Sequence, residues 1–203
     1  VTPPLRTTLG VDGGTRDHGA AEHLVHAVGE VLAQVAGTGT DRWASTHVVR
    51  VPDAHTAVAL SWADPGEGAG PPARADVLCR LAEALPGVAL VLDGASAGPP
   101  GLLGGARAAR GEHRARRAGR LVDYPGRAAV ERLTTPAAVE ADSGVDAVEG
   151  LAGSDVRRDA ALDLTGFARP VWREGRCVLL VQPGRGGLVA FEQRVQIPCC
   201  SAH

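Results

Sequence analysis

Large aromatic side chains are nearly absent from this chain, three Trp, two Phe and one Tyr in 203 residues, so a core has to be closed by small and aliphatic residues. Apolar residues still make up 44% of the sequence, mostly Ala, Val and Leu. A single domain of this length hides roughly 70% of the surface its unfolded form exposes, which such a core can supply. Lys, Asn and Met do not occur, which points to a GC-rich bacterial gene and leaves Arg to carry the strong positive charge.

A net charge of -2 gives no global attraction to nucleic acid or to an anionic membrane surface. The first residues lack the basic region and unbroken apolar stretch that mark a secretion signal, and no run of about 18 apolar residues occurs in this sequence, so neither is expected here. The reading is a soluble, cytoplasmic protein with no membrane partner, and nucleic acid is disfavoured as a partner. In that compartment Cys79, Cys177, Cys199 and Cys200 read as thiols or ligands and not as a disulfide framework.

Residues 1–18 are rich in Gly, Thr and Pro without periodicity and are expected to form a flexible leader. From Ala20 to Ala36, Leu24, Val28, Val31, Leu32 and Val35 recur at helical spacing, and Gly37 ends the pattern. His47–Val51 and Thr56–Trp62 predict a β-hairpin. Val77, Leu78, Leu81, Ala84 and Leu85 predict a second amphipathic helix stopped by Pro86-Gly87, and Val88–Leu92 a buried strand.

The middle, about 94–160, is Gly/Arg-rich and then acidic, and is expected to be poorly ordered within one α+β domain over 19–203. Its charges segregate: eight Arg against three acids over 99–132, then seven acids against two Arg over 133–165. At the end Phe167–Trp172, Cys177–Val181 and the alternating Val189, Phe191, Gln193, Val195 and Ile197 predict a three-stranded meander. The fold class is therefore α+β, a mixed and largely antiparallel sheet with helices on one face.

Three groups carry chemistry that could serve a function. Cys199, Cys200 and His203 place two thiols and an imidazole within five positions, with Cys177 on a neighbouring strand as a fourth ligand. Thiolate and imidazole are soft donors that suit zinc. The same cysteines also suit thiol redox chemistry, one reacting and its neighbour resolving. Arg107, Arg110, Arg114 and Arg117 fall at steps of three and four, one face of a helix that can track phosphates or dock a partner. His18, Glu22, His23 and His26 cluster on the first helix without a metalloprotease spacing and read as a solvated face.

Leu9-Gly10-Val11-Asp12-Gly13-Gly14-Thr15 resembles the first phosphate-binding turn of the actin-like sugar kinases. The resemblance covers these seven residues and implies that Asp12 and the glycines approach nucleotide phosphate. It also implies a hairpin straight after, where this chain carries a helical pattern, and two domains larger than 203 residues supply. No G-x-S-x-G elbow occurs, and Ser45, Ser61, Ser96, Ser143, Ser154 and Ser201 have no distinctive setting, so no nucleophilic triad is expected.

Overall fold

The computed structural model describes residues 6–36, 41–63 and 74–194, which form two compact units. The first comprises residues up to Pro125 together with Trp172–Gly175, and the second comprises Gly126–Val171 and the chain from Arg176 onward. No change of composition marks the division, which falls at Pro125-Gly126 inside a stretch of continuous structure.

In the first unit β1 (Arg6–Thr15), α1 (His18–Ala36), β2 (Arg42–Val49), β3 (His55–Ala63), α2 (Arg74–Ala84) and β4 (Ala89–Leu92) follow one another. Their strands lie in the order β4-β1-β3-β2, every neighbouring pair antiparallel. This is the split β-α-β arrangement called ferredoxin-like. Its two crossovers run in opposite directions along the sheet from strands of opposite direction, so a common right hand puts α1 and α2 on the same face. There they bury Leu9, Val11, Val58, Leu60, Trp62 and Leu90 against Val25, Val28, Leu32 and Leu81. The α+β class and the largely antiparallel sheet match the sequence-based expectation, but the helices expected on one face lie on both, because α3 (Leu103–Ala115) packs on the face opposite α1 and α2.

Two departures from expectation shape the face that α3 covers. Residues 6–15 are not a leader but β1, a strand with neighbours on both sides, and Asp12 and Gly10 lie within it. The Gly/Arg-rich stretch is not poorly ordered either: after β5 (Ala95–Ala97) it forms α3 (Leu103–Ala115) and β6 (Arg120–Asp123), the latter pairing with β2. Helix α3 covers the sheet face opposite α1 and α2, burying Gly105, Ala106, Ala109 and His113 against Ala57, Ala59, Ala89 and Val91. Only small residues allow so close an approach. A Cβ on Gly10 would overlap the Ala106 carbonyl oxygen, and one on Gly105 would overlap the Asp12 carboxylate.

The second unit contains α4 (Arg127–Val130), β7 (Leu133–Thr134), α5 (Pro136–Asp142), β8 (Ala147–Gly150) and β9 (Leu162–Asp163). Thr135 caps α5, its hydroxyl accepting from the Ala138 N–H at 3.2 Å, with Pro136 in the first helical position. The short β10 (Val171–Arg173) leads back through the first unit, and β11 (Arg176–Gly184) and β12 (Gly187–Ala190) complete the second. β11 pairs antiparallel with β12 and parallel with β8, while β9 joins β12 and β7. The acidic stretch is therefore ordered as well, and the last strand of the expected meander stops at Ala190, with Val195 and Ile197 outside the described residues. Among the described residues no helix is long and apolar enough to cross a membrane.

Candidate functional site: a buried serine-histidine chain under α3

Strand alternation puts Trp43, Ser45 and His47 of β2 on the α3 face, and antiparallel pairing places Ser61 of β3 directly opposite Trp43. One turn before the end of α3, Glu112 and His113 reach this row from above. All four central side chains are buried: Ser45 is 0% exposed, His47 and His113 3%, and Ser61 5%. Buried polar groups persist only when bonded to one another, and these are.

Ser45 Oγ lies 2.7 Å from His47 Nε2, and His47 Nδ1 lies 3.0 Å from Glu112 Oε2. On its other side Ser45 Oγ is 2.6 Å from His113 Nδ1, and His113 Nε2 is 2.9 Å from Ser61 Oγ. Burial pushes the His47 imidazole below the ordinary histidine range, against the opposing pull of its Glu112 hydrogen bond, so it is neutral near pH 7. A neutral His47 facing the Glu112 oxygen carries its proton on Nδ1. With the His47 proton on Nδ1, donor counting directs three contacts: His47 Nδ1–H donates to Glu112, Ser45 Oγ–H to His47 Nε2, and His113 Nδ1–H to Ser45 Oγ, while His113 Nε2 and Ser61 Oγ share the fourth hydrogen bond. Glu112 is the outer end of the chain, its side chain 36% exposed.

The segment after α3 closes over this chain. Arg116 takes a left-handed conformation (φ 50, ψ 35) where helices usually place Gly, at a cost of about 1–2 kcal/mol. At Gly119 (φ 127) the backbone runs so near His47 that a Cβ would press into the imidazole. Residues 172–175 hold the segment from outside, the Trp172 N–H donating to Gly119 O at 2.8 Å and the Gly175 N–H to Arg116 O at 3.0 Å. Trp172 also stacks on Trp43 at 4.9 Å and meets His113 edge-on at 6.1 Å.

At the other end of α3 lies a second pair, Asp12 buried and His55 half-buried. Asp12 is fully enclosed, accepting from the Gly14 N–H at 2.8 Å through Oδ1 and from His55 Nε2 at 2.8 Å through Oδ2. His55 Nδ1 lies 2.7 Å from the Asp53 carbonyl oxygen. Both ring nitrogens thus face acceptors, which only the doubly protonated ring can satisfy. Burial opposes that charge, but the hydrogen bonds to Asp12 and Asp53 outweigh it and raise the His55 pKa. Asp12 is therefore turned into the fold and bound there, not presented to a phosphate as the sugar-kinase likeness implies.

The residues singled out by sequence lie elsewhere. Arg107 and Arg114 are exposed on α3, and Arg117 is exposed beyond the helix end at Ala115. Arg110 turns toward the sheet, its Nε donating to Thr8 O at 2.8 Å while its guanidinium pairs with Asp93. Cys177 is fully buried on β11, its N–H donating to Asp146 at 2.7 Å, and Cys199, Cys200 and His203 lie outside the described residues. Among the described residues no group of three His, Cys, Asp or Glu side chains is placed to hold a metal ion. His18, His23 and His26 are exposed on α1, and Glu22 pairs with Arg120 at 2.7 Å.

A cavity of about 740 Å³ opens in the second unit beside Leu179, Val189, Phe191, Arg169 and Arg185. Its described lining includes no Ser, Thr, Cys, His or Asp, and Arg169 is engaged with Glu131 at 3.1 Å. Volume and chemistry are thus in different places, and reactivity follows the chemistry. Comparison with family models, with curated proteins and with solved structures finds no match to this chain.

Proposed function

We propose that the first unit is a serine-dependent acyl-transfer site that hydrolyses an ester-type bond. The observation that supports this reading is the run Ser45 Oγ to His47 Nε2 at 2.7 Å and His47 Nδ1 to Glu112 Oε2 at 3.0 Å. A hydroxyl becomes a nucleophile when a neutral imidazole takes its proton, and a carboxylate behind the ring fixes the tautomer that can do so.

As Ser45 Oγ bonds to the acyl carbon, its proton passes to His47 Nε2 and Glu112 faces the imidazolium that forms. His47 then gives that proton to the departing alcohol oxygen as the carbon–oxygen bond breaks, leaving acyl-Ser45. Water, deprotonated by His47 Nε2, attacks the acyl carbon, and the acid leaves as Ser45 recovers its proton. His113 Nδ1–H occupies a lone pair of the Ser45 oxygen, so the O–H is directed at His47. Because Ser45 is fully buried, reaction requires the backbone at Ala118–Gly119, which presses on His47, to move off the ring while Arg116 keeps its place on the tryptophans.

A fluorophosphonate ester, which phosphonylates activated serines, is the test. Incubation with the folded protein is expected to add one phosphonyl group, located by peptide mass spectrometry on Ser45, with none added to the Ser45→Ala variant. Absence of adduct, or an adduct spread over exposed serines, would overturn the assignment.

A further inference from the structure

The stack beside the serine chain holds two donors and a cation that lack a polar partner among the described residues. Trp43 and Trp172 are 7% and 4% exposed, and each indole Nε1–H lacks an acceptor there. Buried indole N–H groups ordinarily find a partner, because an unmade hydrogen bond leaves the full desolvation cost. The Arg116 guanidinium carbon sits 4.9 Å from the Trp172 ring centre and 5.7 Å from that of Trp43. Arg42, Arg74, Arg110, Arg120 and Arg169 each pair with a carboxylate, whereas among the described residues none lies within ion-pair distance of Arg116. The residue that carries this uncommitted charge is also the one held in a left-handed backbone conformation at the end of α3. Strain of that kind concentrates where a ligand is engaged.

We propose that Arg116, Trp43 and Trp172 form a binding site for the carboxylate of a small organic acid. A carboxylate presents two acceptor oxygens in a plane, matching the fork of a guanidinium and the in-plane N–H of an indole. A single guanidinium with two neutral donors suits one negative charge better than the two of a phosphate. Trp172 touches His113 edge-on, and His113 Nδ1 is 2.6 Å from Ser45 Oγ, so a carboxylate held here stands one ring away from the serine. Where the acyl-transfer reading holds, on which this last step rests, the substrate is an ester that carries a second, free carboxylate.

Benzoate is the probe and neutral benzamide its control. The chain has three Trp and so three indole N–H signals in a nitrogen–proton correlation spectrum, that of Trp62 being identified by its loss in Trp62→Phe. Benzoate is expected to shift the Trp43 and Trp172 signals saturably while Trp62, on the opposite sheet face, stays in place. Arg116→Gly relieves the left-handed strain, so folding is not put at risk, and is expected to weaken the benzoate response at least tenfold. Equal shifts from benzoate and benzamide, no shift at all, or an undiminished response in Arg116→Gly would overturn the site. Benzoate shifts without fluorophosphonate labelling leave the carboxylate site standing and remove the acyl-transfer reading, and labelling without shifts does the reverse.

Discussion

Replacing Asp12 by Ala is expected to lower the unfolding free energy by about 3 kcal/mol, measured by urea denaturation at pH 7. Asp12 is fully enclosed between β1 and the first turn of α3, and its two oxygens hold the Gly14 N–H and the His55 ring. Deleting it leaves the 9% exposed imidazolium without its counter-charge and opens a gap against Gly105. The effect depends on pH with a definite sign. Because the folded-state pKa of His55 is raised, the pair's contribution is complete below the unfolded value of about 6.5 and is lost as pH rises through the folded value. The gap between wild type and Asp12→Ala is therefore expected to narrow as pH rises from about 6 to about 9. His47 does not confuse the comparison, since it titrates in both proteins and drops out of the difference between them. A loss below about 0.5 kcal/mol, or a gap that widens toward pH 9, would show that the two side chains are not paired in solution.

Replacing His47 by Gln is expected to slow phosphonylation of Ser45 by about 10³- to 10⁴-fold while the chain stays folded. The amide can fill much of the volume of the ring but cannot take a proton from Ser45. Loss of a buried partner for Ser45 and Glu112 adds about 1–3 kcal/mol of destabilisation, which an unfolding curve on the same variant separates from the rate effect. Glu112→Gln is expected to act in the same direction by a subtler route. An amide oriented to donate toward His47 Nδ1 drives the ring proton to Nε2, the atom that must accept from Ser45. Rates of labelling unchanged in both variants would mean that the hydroxyl is reactive for reasons unrelated to this chain of contacts.

Much of the first unit is legible in the residues because its outer face is built from long side chains at clear periods. Leu24, Val28, Leu32, Val58, Leu60 and Leu81 announce α1, β3 and α2, and the observed boundaries differ from the expected ones by a few residues. What sequence reasoning missed lies on the α3 face. β1 shows only Leu9 and Val11 as apolar signal, since its other face is Thr8, Gly10 and Asp12, kept small or polar by the closeness of α3. Helix α3 is concealed for the same reason: its buried stripe is Gly105, Ala106, Ala109 and His113, which no hydrophobic pattern reveals. Arg107, Arg110 and Arg114 fall on α3 and Arg117 past its end, and a spacing does not say which arginine finds a backbone carbonyl, as Arg110 does at Thr8.

The serine chain was partly within reach. Ser45 and His47 alternate with Ala44 and Thr46, so a strand beginning at Arg42 puts hydroxyl and imidazole on one face. A strand read as starting at His47 leaves Ser45 outside and hides the relation. Glu112 and His113 arrive from 65 and 68 residues away on a helix of low hydrophobicity, and nothing local connects them to β2. Two of the three Trp, Trp43 and Trp172, stack on each other beside His113.

The most direct test of the serine chain is the pH dependence of the fluorophosphonate labelling rate at Ser45. A base already neutral near pH 7 gives a rate that rises with pH to a plateau, with its midpoint below the ordinary histidine pKa of about 6.5, and this rise is expected to disappear in His47→Gln. A rate that climbs steadily through pH 9 with no plateau, the same in both proteins, would be the reaction of an unassisted hydroxyl and would contradict it.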